Sequence, residues 1–427
     1  MLKLCRHVVA FRVVLMAPLW ITGCVTTATA GLAGTVDAGR EALAEGRVDR
    51  AIAELEARLT AVPQDLIARR LLAQAFARKG NFSKAAVTEQ TALTQEPSDR
   101  AGWRRVGDWR HALGDCPAAV AAYKHLDGGP EADEPAVAVR VAECEVQQGR
   151  GLDAERRLRV ALARHGDTPA GAAGALWLGL ARALAAQGQP DRAVRAYEEA
   201  ARRLAKDPAP LYELGLVYEA LDLVAPARKA FAGAVERDPS HVQALMRLGR
   251  ALLDLHDPAS AVVVLEKAHS LDPQDAALSN NLGVAYLAAE RTADAVRIFE
   301  AAVKGAGKRS ATSWSNLAEA HYKRGAFSEA QAALQETVRL EPGRKAEQGA
   351  LRRVAVAAEI VATRCELSRV PSPVELESRL SRVFAKAGWP ASELKDVLAA
   401  LLGDAEGKRL LDLAMTRCLT NSTSPPP

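Results

Sequence analysis

A 34-residue spacing constrains this chain more than any other feature. Leu214, Gly215, Tyr218, Ala227, Phe231, Ala234 and Pro239 define one unit. Similar residues return 34 positions later as Leu248, Gly249, Leu252, Ala261, Leu265, Ala268 and Pro273. They return again as Leu282, Gly283, Tyr286, Ala295, Phe299 and Ala302, then one residue late as Trp314, Leu317, Ala318, His321, Ala330, Leu334 and Pro342. Upstream, more worn copies start near Leu32, Leu66, Arg100, Pro135 and Gly174, giving about nine candidate units over residues 32–344. Apolar steps of three and four predict helices, and the terminal proline removes a donor and stops the second helix of a unit. So short a unit cannot bury its apolar face alone, so neighbours must stack. Composition agrees: 49% of residues are hydrophobic but only 4% aromatic, with Ala and Leu dominant. That balance favours packed helices over sheets.

The pattern resembles the tetratricopeptide repeat, whose Trp, Leu, Gly, Tyr, Ala, Phe, Ala and Pro recur in 34-residue helical hairpins. The resemblance implies an all-α, right-handed superhelical solenoid. Small residues of the first helix are expected to meet small Ala of the second, with larger residues plugging against the next hairpin. It further implies a groove lined by first helices that binds a protein or exposed peptide. The positions that face such a groove hold Arg70, Arg78, Arg104, Asp108, His111, Tyr212 and Glu219. Farther along they hold Gln243, Met246, Arg250, Asn280, Glu319, Tyr322 and Lys323. Aromatics and Met offer contact area, while Arg and Asn supply directional hydrogen bonds. The competing reading of each side chain is solvated surface.

The N-terminus has a separate role. Lys3, Arg6 and Arg12 accompany an apolar stretch from Val8 to Leu19, the plan of a signal peptide over residues 1–23. Ile21-Thr22-Gly23-Cys24 resembles a bacterial lipobox, which implies cleavage before Cys24 and acylation of that residue. Val25 occupies the position where Asp would resemble an inner-membrane retention signal, so the outer membrane is expected. Removing 1–23 leaves 53 basic against 52 acidic side chains, which argues against a nucleic-acid partner. Residues 24–35 would then form a flexible tether reaching roughly 35 Å.

No motif asks for chemistry. The histidines are scattered, and HExxH, a phosphate-binding glycine loop and GxSxG are all missing from the sequence. No enzyme activity, cofactor or metal is therefore expected. His256-Asp257 falls at a hairpin turn and reads as a cap or surface feature. In an oxidising envelope Cys116 could pair with Cys144, and Cys365 with Cys418; buried thiols are the alternative. The register fails after Pro342. A capping helix over 345–370, a helical domain over 371–422 and a loose tail over 423–427 are expected. The resulting function is a non-enzymatic adaptor or assembly factor at the periplasmic face of the outer membrane. The plan distantly resembles outer-membrane pilotins, which join a lipobox to such repeats. Two other functions fit: a recruiting subunit or regulator of a cell-wall or polysaccharide-processing enzyme, and an envelope spacer.

Overall fold

A computed structural model describes residues 36–166, 170–367 and 372–403, together with Ala405 and Asp412. The signal peptide, Cys24, the tether, Cys418 and the tail lie outside the described residues. Among the described residues the fold is all-α, and the chain divides after Leu204 into two compact units.

The first unit contains α1 (36–44), α2 (Val48–Ala61), α3 (Leu66–Arg78), α4 (Phe82–Leu93) and α5 (Arg100–Ala112). It continues with α6 (Cys116–Tyr123), α7 (Pro135–Gln147), α8 (Gly151–His165), α9 (Ala170–Ala186) and α10 (Pro190–Arg203). Odd-numbered helices are the first of each hairpin and even-numbered helices the second. The second unit holds α11 (Ala209–Ala220), α12 (Val224–Arg237), α13 (Val242–Asp254), α14 (Pro258–Leu271), α15 (Ala276–Ala288) and α16 (Thr292–Lys304). It ends with α17 (Ala311–Lys323), α18 (Phe327–Leu340), α19 (Lys345–Leu367), α20 (Pro373–Ala387) and α21 (Glu393–Gly403).

Local chemistry starts and stops these helices at a fixed register. Asp65, Asp99 and Asp275 each accept a bond from the third backbone N–H of the first helix that follows. Such a cap contributes about 1 kcal/mol. At the hairpin turn the backbone N–H of Leu223, Asp257 and Arg291 donates to the carbonyl five residues back, at 2.8–2.9 Å. The intervening residue is left-handed. Glycine takes this place in the first unit, as at Gly80 and Gly114, and at Gly325 in the second, where Asp222, His256 and Glu290 take it in three other turns. Asp257 also caps α14 by accepting from Ser260.

Packing within a hairpin differs from the small-on-small seam expected. A Cβ placed on Gly215 would lie 2.5 Å from the ring of Phe231 in the same hairpin. Gly249 faces Leu265, and Gly283 faces Phe299, in the same manner. The first helix is therefore bare where the second inserts its largest side chain. Ala227, Ala261 and Ala295, all buried, complete the seam. In the second unit one hydrophobic cluster runs from Ala227 to Leu394, so α19–α21 extend the repeat core through Val356, Phe384 and Leu394.

α6 breaks the regularity of the first unit. It has eight residues and is followed by short 3-10 turns at Lys124–Leu126 and Pro130–Asp133. A disulfide joins Cys116, at the start of α6, to Cys144 in the last turn of α7, with the Cα atoms 5.1 Å apart. Cys365 is also disulfide-bonded.

Candidate protein-binding groove

The first helices of the first unit carry an ion-pair ladder from hairpin to hairpin. Arg104 of α5 pairs with Glu134 at the head of α7, at 2.6 Å. Asp108 accepts from the Tyr123 hydroxyl at 2.6 Å and from Arg140 of α7 at 2.7 Å. Burial, with the Asp108 carboxylate beside it, pushes the Tyr123 phenol above its ordinary range. Glu143 of α7 is held between His111 of α5, at 3.0 Å, and Arg182 of α9, at 2.9 Å. Each rung crosses a seam between successive first helices, so the ladder fixes their register.

Two clefts flank the His111–Glu143 rung. One, of about 500 Å³, has a floor of Ala136, Val139, Ala172 and Ala175 beneath a charged rim of Glu134 and Arg140. The other, of about 400 Å³, lies among Val146, Gly179, Arg182 and Cys116. Apolar floors with a few fixed polar groups suit the side chains of a peptide laid across the helices.

The remaining candidates divide by environment. Arg70 binds Glu96 and Asp99, each at 2.7 Å, and Arg78 donates to the Leu43 carbonyl. In the second unit Glu219 pairs with Arg247 at 3.0 Å, while Glu319 and Lys323 sit 3.9 Å apart on one helix. Tyr212 packs against Phe231 and His241, and Tyr322 meets Phe327 edge-on. Asn280 donates to Ser313 of the next hairpin at 3.0 Å. Met246 is half-buried, whereas Gln243 and Arg250 are exposed. The candidates thus lie along the first helices of both units, and only some present free polar ends.

Sequence reasoning did not single out Glu143, Arg182, Arg140 or Arg247. The first two stand at the ninth position of their units, a groove position, and that register could have found them. Arg140 and Arg247 share the sixth position, one past the fifth held by Arg70, Arg104, Tyr212, Met246 and Asn280, so the groove register does not reach them. Nearby, burial and the Arg324 charge depress the His321 imidazole, which is nearly buried 4.0 Å from Glu300. Among the described residues no group of three or more His, Cys, Asp or Glu is placed to hold a metal. Nor is any described helix long and apolar enough to cross a membrane.

Stacked helix pairs with an open first-helix face define a protein-interaction scaffold of the helical-repeat class. Two tetratricopeptide-repeat models match the chain. One covers residues 36–100, 145–208, 178–241 and 212–276, and the other 252–311 and 286–354. The chain belongs to the tetratricopeptide-repeat family. It is 35% identical over 95 residues to tetratricopeptide repeat protein 21B of Xenopus laevis, a stretch of 22% of this chain but only 7% of that protein. Among solved structures, the C-terminal part of a repeat-containing protein from Cytophaga hutchinsonii superposes with a TM-score of 0.48 at 17% identity. That match covers 57% of this chain and 97% of the other. The Pseudomonas aeruginosa pilF protein gives 0.40 at 18% identity, over 50% of this chain and 95% of its own. Each likeness is partial.

Proposed function

We propose that this protein is an adaptor or assembly factor of the bacterial envelope. Acyl chains on Cys24 hold it to the periplasmic face of the outer membrane, and its first-helix face grips another envelope protein or an exposed peptide of one. The observation that carries the binding half is the pair of clefts at His111 and Glu143, whose apolar floors lie beneath polar groups held in place. The lipobox-like Ile21-Thr22-Gly23-Cys24 carries the anchoring half. A spacer function draws on a different observation. The ladder Arg104–Glu134, Asp108–Arg140 and His111–Glu143–Arg182 satisfies much of one groove internally and stiffens it.

Crosslinking in intact cells separates the two. An adaptor yields one dominant envelope protein, and Arg104→Ala combined with Arg250→Ala lowers its recovery by about tenfold. Recovery unchanged by these substitutions eliminates those contacts. A spread of unrelated proteins supports the spacer.

A further inference from the structure

The second-helix side of the first unit carries a surface that the groove does not use. α8 and α10 together hold eight arginines against five carboxylates, whereas the whole chain has 56 basic against 52 acidic residues. The two helices thus carry a local excess of three positive charges. On α8, Leu152, Arg156, Arg159 and Val160 fall at helical steps that share one face. Leu152 is 69% exposed and the Arg156 side chain 76%. On α10, Arg192, Arg195 and Arg202 likewise align.

Between these helices α9 floors a cleft of about 310 Å³ with Trp177, Leu180 and Leu184, rimmed by Arg159, Arg192 and Arg195. The local acids neutralise it only in part. Glu155 is shared by Arg159 and Arg192, and Glu199 by Arg202 and Arg203, so each of these two carboxylates faces two guanidiniums, while Arg156 pairs with Asp153 and Arg157 with Glu145 of α7.

We propose that this face docks on an anionic phospholipid surface, with α8 and α10 lying along the headgroups. Guanidiniums pair with phosphates in a forked geometry that suits them better than a point charge would. Leu152 and Val160 distinguish this partner from an acidic protein segment. Aliphatic side chains exposed among arginines on one helix face belong at a lipid interface, where the apolar groups enter and the charges stay at headgroup level. The proposal does not depend on Cys24. It adds a second, electrostatic contact to any acyl anchor, the combination that makes membrane attachment durable.

The test uses the full chain carrying Cys24→Ala. It is sedimented with vesicles of phosphatidylcholine alone and of phosphatidylcholine mixed with phosphatidylglycerol. Stronger binding to the anionic vesicles, falling as salt rises, is expected. The triple variant Arg156→Gln, Arg159→Gln, Arg195→Gln, which removes three positive charges, should weaken that binding roughly a hundredfold, at about fivefold or slightly less per charge. Leu152→Asp, at an exposed position that does not endanger the fold, should weaken it severalfold. Three results overturn the proposal. They are no preference for anionic vesicles, wild-type binding by both variants, or arginine-dependent capture of a polyglutamate peptide with the vesicles ignored.

Discussion

Asp222, His256 and Glu290 sit at φ values of 58–59°, in the left-handed region that Gly46, Gly80, Gly114, Gly149 and Gly188 occupy in other turns. A side chain there meets the backbone carbonyl, a cost of roughly 1–2 kcal/mol per residue. Each of Asp222→Gly, His256→Gly and Glu290→Gly should therefore raise unfolding free energy by about 0.5–1 kcal/mol, after glycine's own entropic penalty. Denaturant titration of the three single variants checks this. A drop in stability would mean that the side chains contribute more than the backbone strain they cause. These turns were legible where glycine marks them. His256-Asp257 was legible only as a turn, because a left-handed histidine is imposed by the bond from Asp257 to Leu252 and leaves no local mark. Glu89 was less legible still. It stands in register with Phe231, Leu265 and Phe299, yet is a fully buried carboxylate beside Arg105. Burial pushes its pKa up from the ordinary carboxylate value, against the pull of Arg105.

At the scale of elements, α6 is the weak joint of the first unit. Its eight residues give it barely two turns to pack, and the Cys116–Cys144 bond ties its first turn to the end of α7 across 28 residues. A loop of that size is worth about 3.6 kcal/mol when closed. Cys116→Ala with Cys144→Ala should lower unfolding free energy by about 2–4 kcal/mol. The loss should come with faster amide exchange in α6 and in the 3-10 turns after it. Exchange unchanged in that segment would show that α7 packing alone holds it. The 34-residue rhythm made the helix pairs readable because backbone packing repeats wherever small residues recur. The ladder from Arg104 to Arg182 was not readable in the same way. Ion pairs between hairpins depend on how long side chains swing across a seam, and the spacing of apolar residues does not record that.

For the whole molecule, attachment is the property most open to a simple measurement. Cys24→Ala should move the protein into the soluble envelope fraction when membranes are washed in high salt, since salt screens a purely electrostatic contact and leaves inserted acyl chains in place. Salt-resistant membrane retention of that variant would defeat lipidation as the anchor. The glycine seats described for Phe231, Leu265 and Phe299 bear on the molecule's history as well as its stability. Each large side chain is received by a glycine of its own hairpin, so that close fit is finished inside a single part. Copying or excising 34 residues transfers that fit whole and asks the neighbours only for an ordinary apolar face. The number of hairpins can thus change by duplication without the core being redesigned, and binding surface is gained or lost in fixed increments.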